Sequence, residues 1–211
     1  MDHLEEIAER IRFSFDARTH SREQALAQTR TLIRHCAHAI RAIHRNEKDL
    51  AQENLDLARS LVKELNKNLK EYPDIFFAGY TQNALKEFAE ANIVYALVEN
   101  DGLPDPDELG ITHSTYLQGL AETAGELRRR CLDCLRSGKS QEAERLLAHM
   151  DDIYAVLITM DYPDAITGGL RRLTDIVRGV TERTRGDLTI SLRQEQLERS
   201  LERLENQLLS D

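Results

Sequence analysis

Residues 84–100 read ALKEFAEANIVYALVEN, from Ala84 to Asn100. Apolar residues recur there at helical spacing and the second half is almost wholly aliphatic, which predicts a helix buried in a core. Two carboxylates interrupt it. On a helical wheel Glu87 falls in the arc of Tyr80, Ala91, Val94 and Val98, and Glu90 lies one step round, beside Val94 and Leu97. A carboxylate against aliphatic neighbours is costly unless something pairs with it. Either the two mark a core boundary, or they share a cation.

Outward from this stretch the whole chain reads as helix. Its four prolines, Pro73, Pro104, Pro106 and Pro163, all fall in short connecting stretches, where they end or separate periodic segments. The expected segments run from about Asp2 to Arg18, from THSREQ to about Arg45, and from Glu47 to Lys70. The fourth holds the opening stretch and ends at NDGLPDPDELG. The fifth runs from Thr112 to Arg136, the sixth ends near Pro163, and the last runs to about Leu208 with Gly186 as a candidate break. Ser21 and Gln24 form the pattern of a capping box at the start of the second. No strand-like alternation is bounded by turn residues. The expectation is an all-α, antiparallel bundle of about seven long helices, as a single domain over 1–211.

Charged residues make up 31 % of the 211-residue chain and mean hydropathy is -0.51, which fits a soluble globular protein. No run approaches the roughly 20 apolar residues of a membrane span, and the N-terminus MDHLEEIAERIRF is acidic where a signal peptide would be basic. These features, with only three cysteines, lead to the expectation of a cytoplasmic protein with no membrane partner. The net charge of -9 argues against nucleic acid binding over the whole surface, but leaves room for a local basic stripe.

The fifth segment carries Glu122 and Glu126, four apart and so on one face, with Asp133 two turns further on. Its apolar arc (Tyr116, Leu117, Leu120, Ala124, Leu127, Cys131, Leu135) lies roughly opposite, so the glutamates alone read as a solvated face. Gly119 and Gly125 flank them and would permit close approach by a helix or ligand. If this helix faces Glu87 and Glu90, four carboxylates converge, and like charges that close need a cation. An all-oxygen set suits Mg²⁺ or Mn²⁺. A di-iron bundle would need Glu-x-x-His, but Ile93 and Arg129 stand in those positions.

In the second segment Arg30, Arg34, Arg41 and Arg45 fall within about one sixth of the helix circumference, with His38 close by. A charged face is usually only solvated, but this one has a single sign and is built of arginine, which suits phosphate. Arg171, Arg178 and Arg185 make a second row in the last segment. Cys131 and Cys134 read as core packing, since one Cys-x-x-Cys without a second pair is a poor zinc signal. His35 and His38 have no evident third ligand, and no nucleotide-binding loop or nucleophile motif is present.

Taken together, LKEFAEANIVYALVE and TYLQGLAETAGELRRRCLDCLRSGKSQEAERLLAHMDDIYAVL resemble the translin family, and look closer to its translin-associated factor X branch, of prokaryotic type. The resemblance covers most of the chain. It implies a seven-helix fold, a hollow homo-oligomer of eight subunits, and Mg²⁺- or Mn²⁺-dependent endoribonuclease activity on single-stranded RNA. Carried over, Glu87 and Glu90 match the family's E-x-x-E pair. Glu122 matches an acidic position that is Asp in animal proteins of that branch, and Glu126 matches the Glu of GEL. These four are the expected metal ligands and catalytic residues; Arg30, Arg34, His38, Arg41, Arg45, Arg171, Arg178 and Arg185 are the expected RNA contacts. The alternatives are a non-catalytic binder of single-stranded RNA or DNA, of the translin type, and a purely structural helical oligomer.

Overall fold

Neither glycine nor proline occurs between Asp2 and His44. In the computed structural model, which describes residues 2–209, that stretch is one helix, α1 (Asp2–His44), of 43 residues. The expected boundary near Ser21 is absent. Ser21 Oγ donates to the Ala17 carbonyl at 3.0 Å, bonding back into the preceding turn instead of capping a new helix. The chain then continues as α2 (Lys48–Asn68), α3 (Pro73–Phe76), α4 (Gly79–Glu99), α5 (Pro106–Leu109), α6 (His113–Arg136), α7 (Ser140–Leu157), α8 (Asp164–Thr167) and α9 (Leu170–Leu208). All regular structure among the described residues is helical, as expected, with six long helices and three single turns. The ends of the expected 1–211 domain, residues 1, 210 and 211, lie outside the described residues.

Prolines open the short helices: Pro73 and Pro106 occupy first-turn positions of α3 and α5, where a missing N–H costs nothing. Asp105 and Glu108 close a reciprocal capping box on α5, at 2.8 and 2.9 Å. Asn100 ends α4 in the left-handed conformation, φ 58°, which asparagine tolerates better than most residues. Gly186 does not break α9.

The chain divides into two compact units, one up to Gly119 and one from Leu120 onwards, with α6 running unbroken through the boundary. In the first, a short turn at 45–47 folds α2 back on α1 as a helical hairpin, and α4 packs on both. Its core holds Leu32, Cys36, Ala39 and Ile43 of α1, Leu55, Val62 and Leu65 of α2, and Leu85, Phe88 and Ile93 of α4. Two polar pairs lie inside it: His35 Nδ1 meets Asn54 Oδ1 at 3.0 Å, and Asn92 Nδ2 donates to the Phe88 carbonyl at 2.8 Å. In the second unit α7 packs along α9, burying Leu146, Met150, Ile153 and Leu157 with Leu170, Val177 and Leu188. Arg128 of α6 joins them, donating to Thr184 Oγ1 at 3.0 Å and pairing with Asp187 at 2.8 Å.

Two helix ends carry apolar residues that their own unit does not bury. On α1, Leu4, Ile11, Phe13 and Phe15 are exposed, Phe13 by 79 %. On α9, Ile190, Leu197, Leu201, Leu204 and Leu208 are exposed, at steps of seven, four, three and four, the spacing of an interhelical seam. No helix among the described residues is long and apolar enough to cross a membrane.

Candidate metal and nucleic-acid site

Helix α4 is apolar nearly all round. Its buried residues run almost unbroken from Phe88 to Val98, and Glu90 is among them at 7 % exposure. Glu87, one turn earlier, is half-buried, and its carboxylate lies 3.7 Å from Lys86 Nζ. Glu90 is therefore no boundary residue; it belongs to the interior of its helix packing.

Helix α6 begins within the first unit and lies against α4. Thr115 Oγ1 donates to Gln82 Oε1 at 2.6 Å, and one turn later Gly119 meets the α4 backbone at Lys86 and Glu90. Glu122 follows one turn further along α6. One carboxylate oxygen from each of Glu87, Glu90 and Glu122 can be chosen so that all three lie within 4.8 Å of one another. Glu126 stands on the next turn of α6, half-buried like Glu122. The helical wheel alone reads these two as a solvated face, whereas both are half-buried; Thr123 and Ala124, beside Glu122, are buried.

These acidic residues could bind a metal ion. Carboxylates at this spacing concentrate negative charge, and a divalent cation can satisfy several of them at once. The donor set is oxygen only, which fits a hard cation better than a thiophilic one. Beneath it, the buried Cys36 thiol of α1 has its pKa pushed well up, first by burial, then by the charges of Glu87 and Glu90. Helical periodicity does not reveal that proximity, since Cys36 occupies an ordinary apolar position on its own helix.

The first arginine row keeps its sequence-predicted form. Arg30, Arg34, His38 and Arg41 are all exposed along the second half of α1, and Arg45 is exposed just past its end. Among the described residues, the side chains of the four arginines make no ion pair or hydrogen bond, so their guanidinium groups are available to a ligand. The second row is different. Arg171 pairs with Asp161 at 3.0 Å, Arg178 approaches Asp175 at 3.8 Å, and Arg185 bonds Asp151. All three arginines are exposed, and each has a carboxylate beside it. Spacing by sevens revealed the row, but the partners come from α7, the following loop and α9 itself.

The cysteines are free and buried. Cys131 Sγ donates to the Ala143 carbonyl at 3.5 Å, and burial pushes its pKa up to about 11, in keeping with a packing role.

The comparisons with known proteins place the chain in a family. The translin family model matches residues 2–210. An uncharacterized protein of Methanocaldococcus jannaschii is 34 % identical over 186 residues, which cover 87 % of this chain and 82 % of that protein. A structure of AfC3PO in complex with duplex RNA has a TM-score of 0.79 at 32 % identity, covering 90 % of this chain and 96 % of that one. A crystal structure of AfC3PO has a TM-score of 0.78 with the same identity and coverage. The apo-NeC3PO structure shares the fold, with a TM-score of 0.80 at 19 % identity over 87 % of this chain and 96 % of that one.

Proposed function

This chain belongs to the translin family, and from that premise we propose that it is a metal-dependent endoribonuclease of the translin-associated factor X branch, working as one translin-like domain in a hollow cytoplasmic homo-oligomer. The observation that carries the reading is the meeting of Glu87, Glu90 and Glu122 carboxylates around one small volume. An RNA-binding role is supported by the AfC3PO complex with duplex RNA and by the bare arginine row of α1.

Glu87, Glu90 and Glu122 would hold Mg²⁺ or Mn²⁺, with Glu126 one turn away as the fourth ligand. Such an ion, when bound, lowers the pKa of a water and offsets charge developing on the phosphodiester oxygens. Whichever of Glu87 and Glu122, the less buried members, is not directly on the ion would orient the attacking water and accept its proton. Arg30, Arg34, Arg41 and Arg45, with His38, hold the backbone phosphates without reading sequence. Arg171, Arg178 and Arg185 extend that surface once RNA phosphates displace their carboxylate partners.

The test is cleavage of labelled RNA, single-stranded and duplex, by the purified protein with Mg²⁺, with Mn²⁺ and with chelator. Metal-dependent cutting of single strands is the expected result. Salt-sensitive binding without cleavage would instead establish a translin-type binder of single-stranded RNA or DNA.

A further inference from the structure

Glycine inside a helix ordinarily weakens it, yet α6 carries one where it meets α4. A Cβ added to Gly119 would lie 2.6 Å from Ala89 Cβ, 2.9 Å from the Lys86 carbonyl oxygen and 3.0 Å from the Glu90 nitrogen. Ordinary contacts between such atoms are about 3.5–4.0 Å. Two of the three obstacles are backbone atoms, which cannot swing aside as a side-chain tip would. They belong to the turn of α4 that presents Glu87 and Glu90. At Gly125, on the same helix, an added Cβ meets open space.

We infer that Gly119 is the positioning residue of the carboxylate site: having no Cβ, it lets α6 lie directly on the α4 backbone, and so brings Glu122, one turn on, to Glu87 and Glu90. The inference rests on the metal-site reading above. Gly119 touches no substrate and supplies no ligand. It acts by setting the separation of two helices at the level of the site. A methyl there forces the helices apart by roughly 1 Å, the difference between the blocked and the ordinary contact distance. Carboxylates that must close on one small ion tolerate such a displacement poorly, and misplacement of that size can lower a rate by about a hundredfold.

Mn²⁺ binding by calorimetry and cleavage of single-stranded RNA are measured for the wild type, Gly119→Ala, Gly125→Ala and Glu90→Gln, with folding followed by circular dichroism. For Gly119→Ala the affinity for Mn²⁺ should fall at least tenfold and kcat about a hundredfold, with KM for RNA changed less than about twofold. Gly125→Ala should bind Mn²⁺ like the wild type and melt slightly higher. The swap Ala89→Gly/Gly119→Ala removes the shortest obstruction, so it should recover part of the lost affinity; it also serves if Gly119→Ala alone does not fold. If the wild type binds Mn²⁺ and Glu90→Gln does not, unchanged affinity in folded Gly119→Ala overturns the inference while the metal site stands. In the swap variant, affinity equal to the wild type despite the new methyl against the α4 backbone does the same. A wild type that binds no Mn²⁺ overturns the metal reading itself, and the inference with it.

Discussion

The thiol of Cys36 on α1 lies within electrostatic reach of the Glu87 carboxylate on α4, and that charge adds to burial in raising the thiol's pKa. A basic helix and an acidic one therefore meet through a cysteine. Cys36, which senses the carboxylates, lies on α1 between Arg34 and Arg41 of the arginine row.

That relationship predicts a pH dependence. Cys36 and Cys131 both have folded pKa values above the ordinary thiol value, Cys131 at about 11. Their contribution to stability is complete below the unfolded thiol pKa near 9 and is lost as pH rises towards the folded values, because only the unfolded chain then ionises. Thermal melts should show a falling Tm between pH 9 and 11. Cys131→Ala should lower Tm at every pH but make the fall over that window shallower. A slope identical to the wild type would show that this thiol is not responsible.

Glu90→Gln keeps shape and removes a charge from the acidic cluster. RNA cleavage should drop by orders of magnitude, while RNA binding persists because the arginines are untouched. Without metal the variant should melt at the same temperature or slightly higher, as like-charge crowding is thinned. The rise in Tm that Mn²⁺ gives the wild type should disappear. Full activity of this variant in Mg²⁺ would falsify the metal site.

The two arginine rows should separate by salt dependence. Replacing Arg34 and Arg41 with Ala removes two unpaired guanidinium groups, so RNA affinity should fall for every sequence. The slope of log K against log salt should flatten by roughly 1.5. Replacing Arg171 and Arg185 breaks exposed ion pairs instead, each worth about 1 kcal/mol or less, and should flatten the slope by less. Equal slopes for the two double variants would show that the rows play equal parts.

Self-association should depend on the uncovered apolar ends. Light scattering should give a mass well above a dimer, with eight subunits expected. Leu201→Asp with Leu204→Asp on α9 should reduce it, since two charges would enter an apolar seam. A wild-type mass near 24 kDa at micromolar concentration would remove the oligomer from the reading.

The helices were legible because their punctuation is local: the prolines at 73, 106 and 163 and the turn-rich stretch NDGLPDPDELG all act within a few residues. The same reasoning erred at Ser21, where a capping pattern was present but the hydroxyl bonded backwards to Ala17. Of the candidate site, Glu87 and Glu90 stood out because they interrupt an apolar helix. Glu122 did not, because on its own helix it lies opposite the apolar arc. The acid partners of Arg171 and Arg185 were hidden, being ten and thirty-four residues away.

The continuity of α1 has a mechanical consequence. At 43 residues it is roughly 65 Å long, with exposed phenylalanines near one end and the exposed arginine row near the other. Because no break intervenes, the azimuth of one group fixes that of the other. Inserting a single residue near Ser21 would turn the two by about 100° relative to each other, whereas inserting seven would nearly restore the phase. The rod thus works as a crankshaft, whose angular setting decides which way the arginines point once the phenylalanine end is seated.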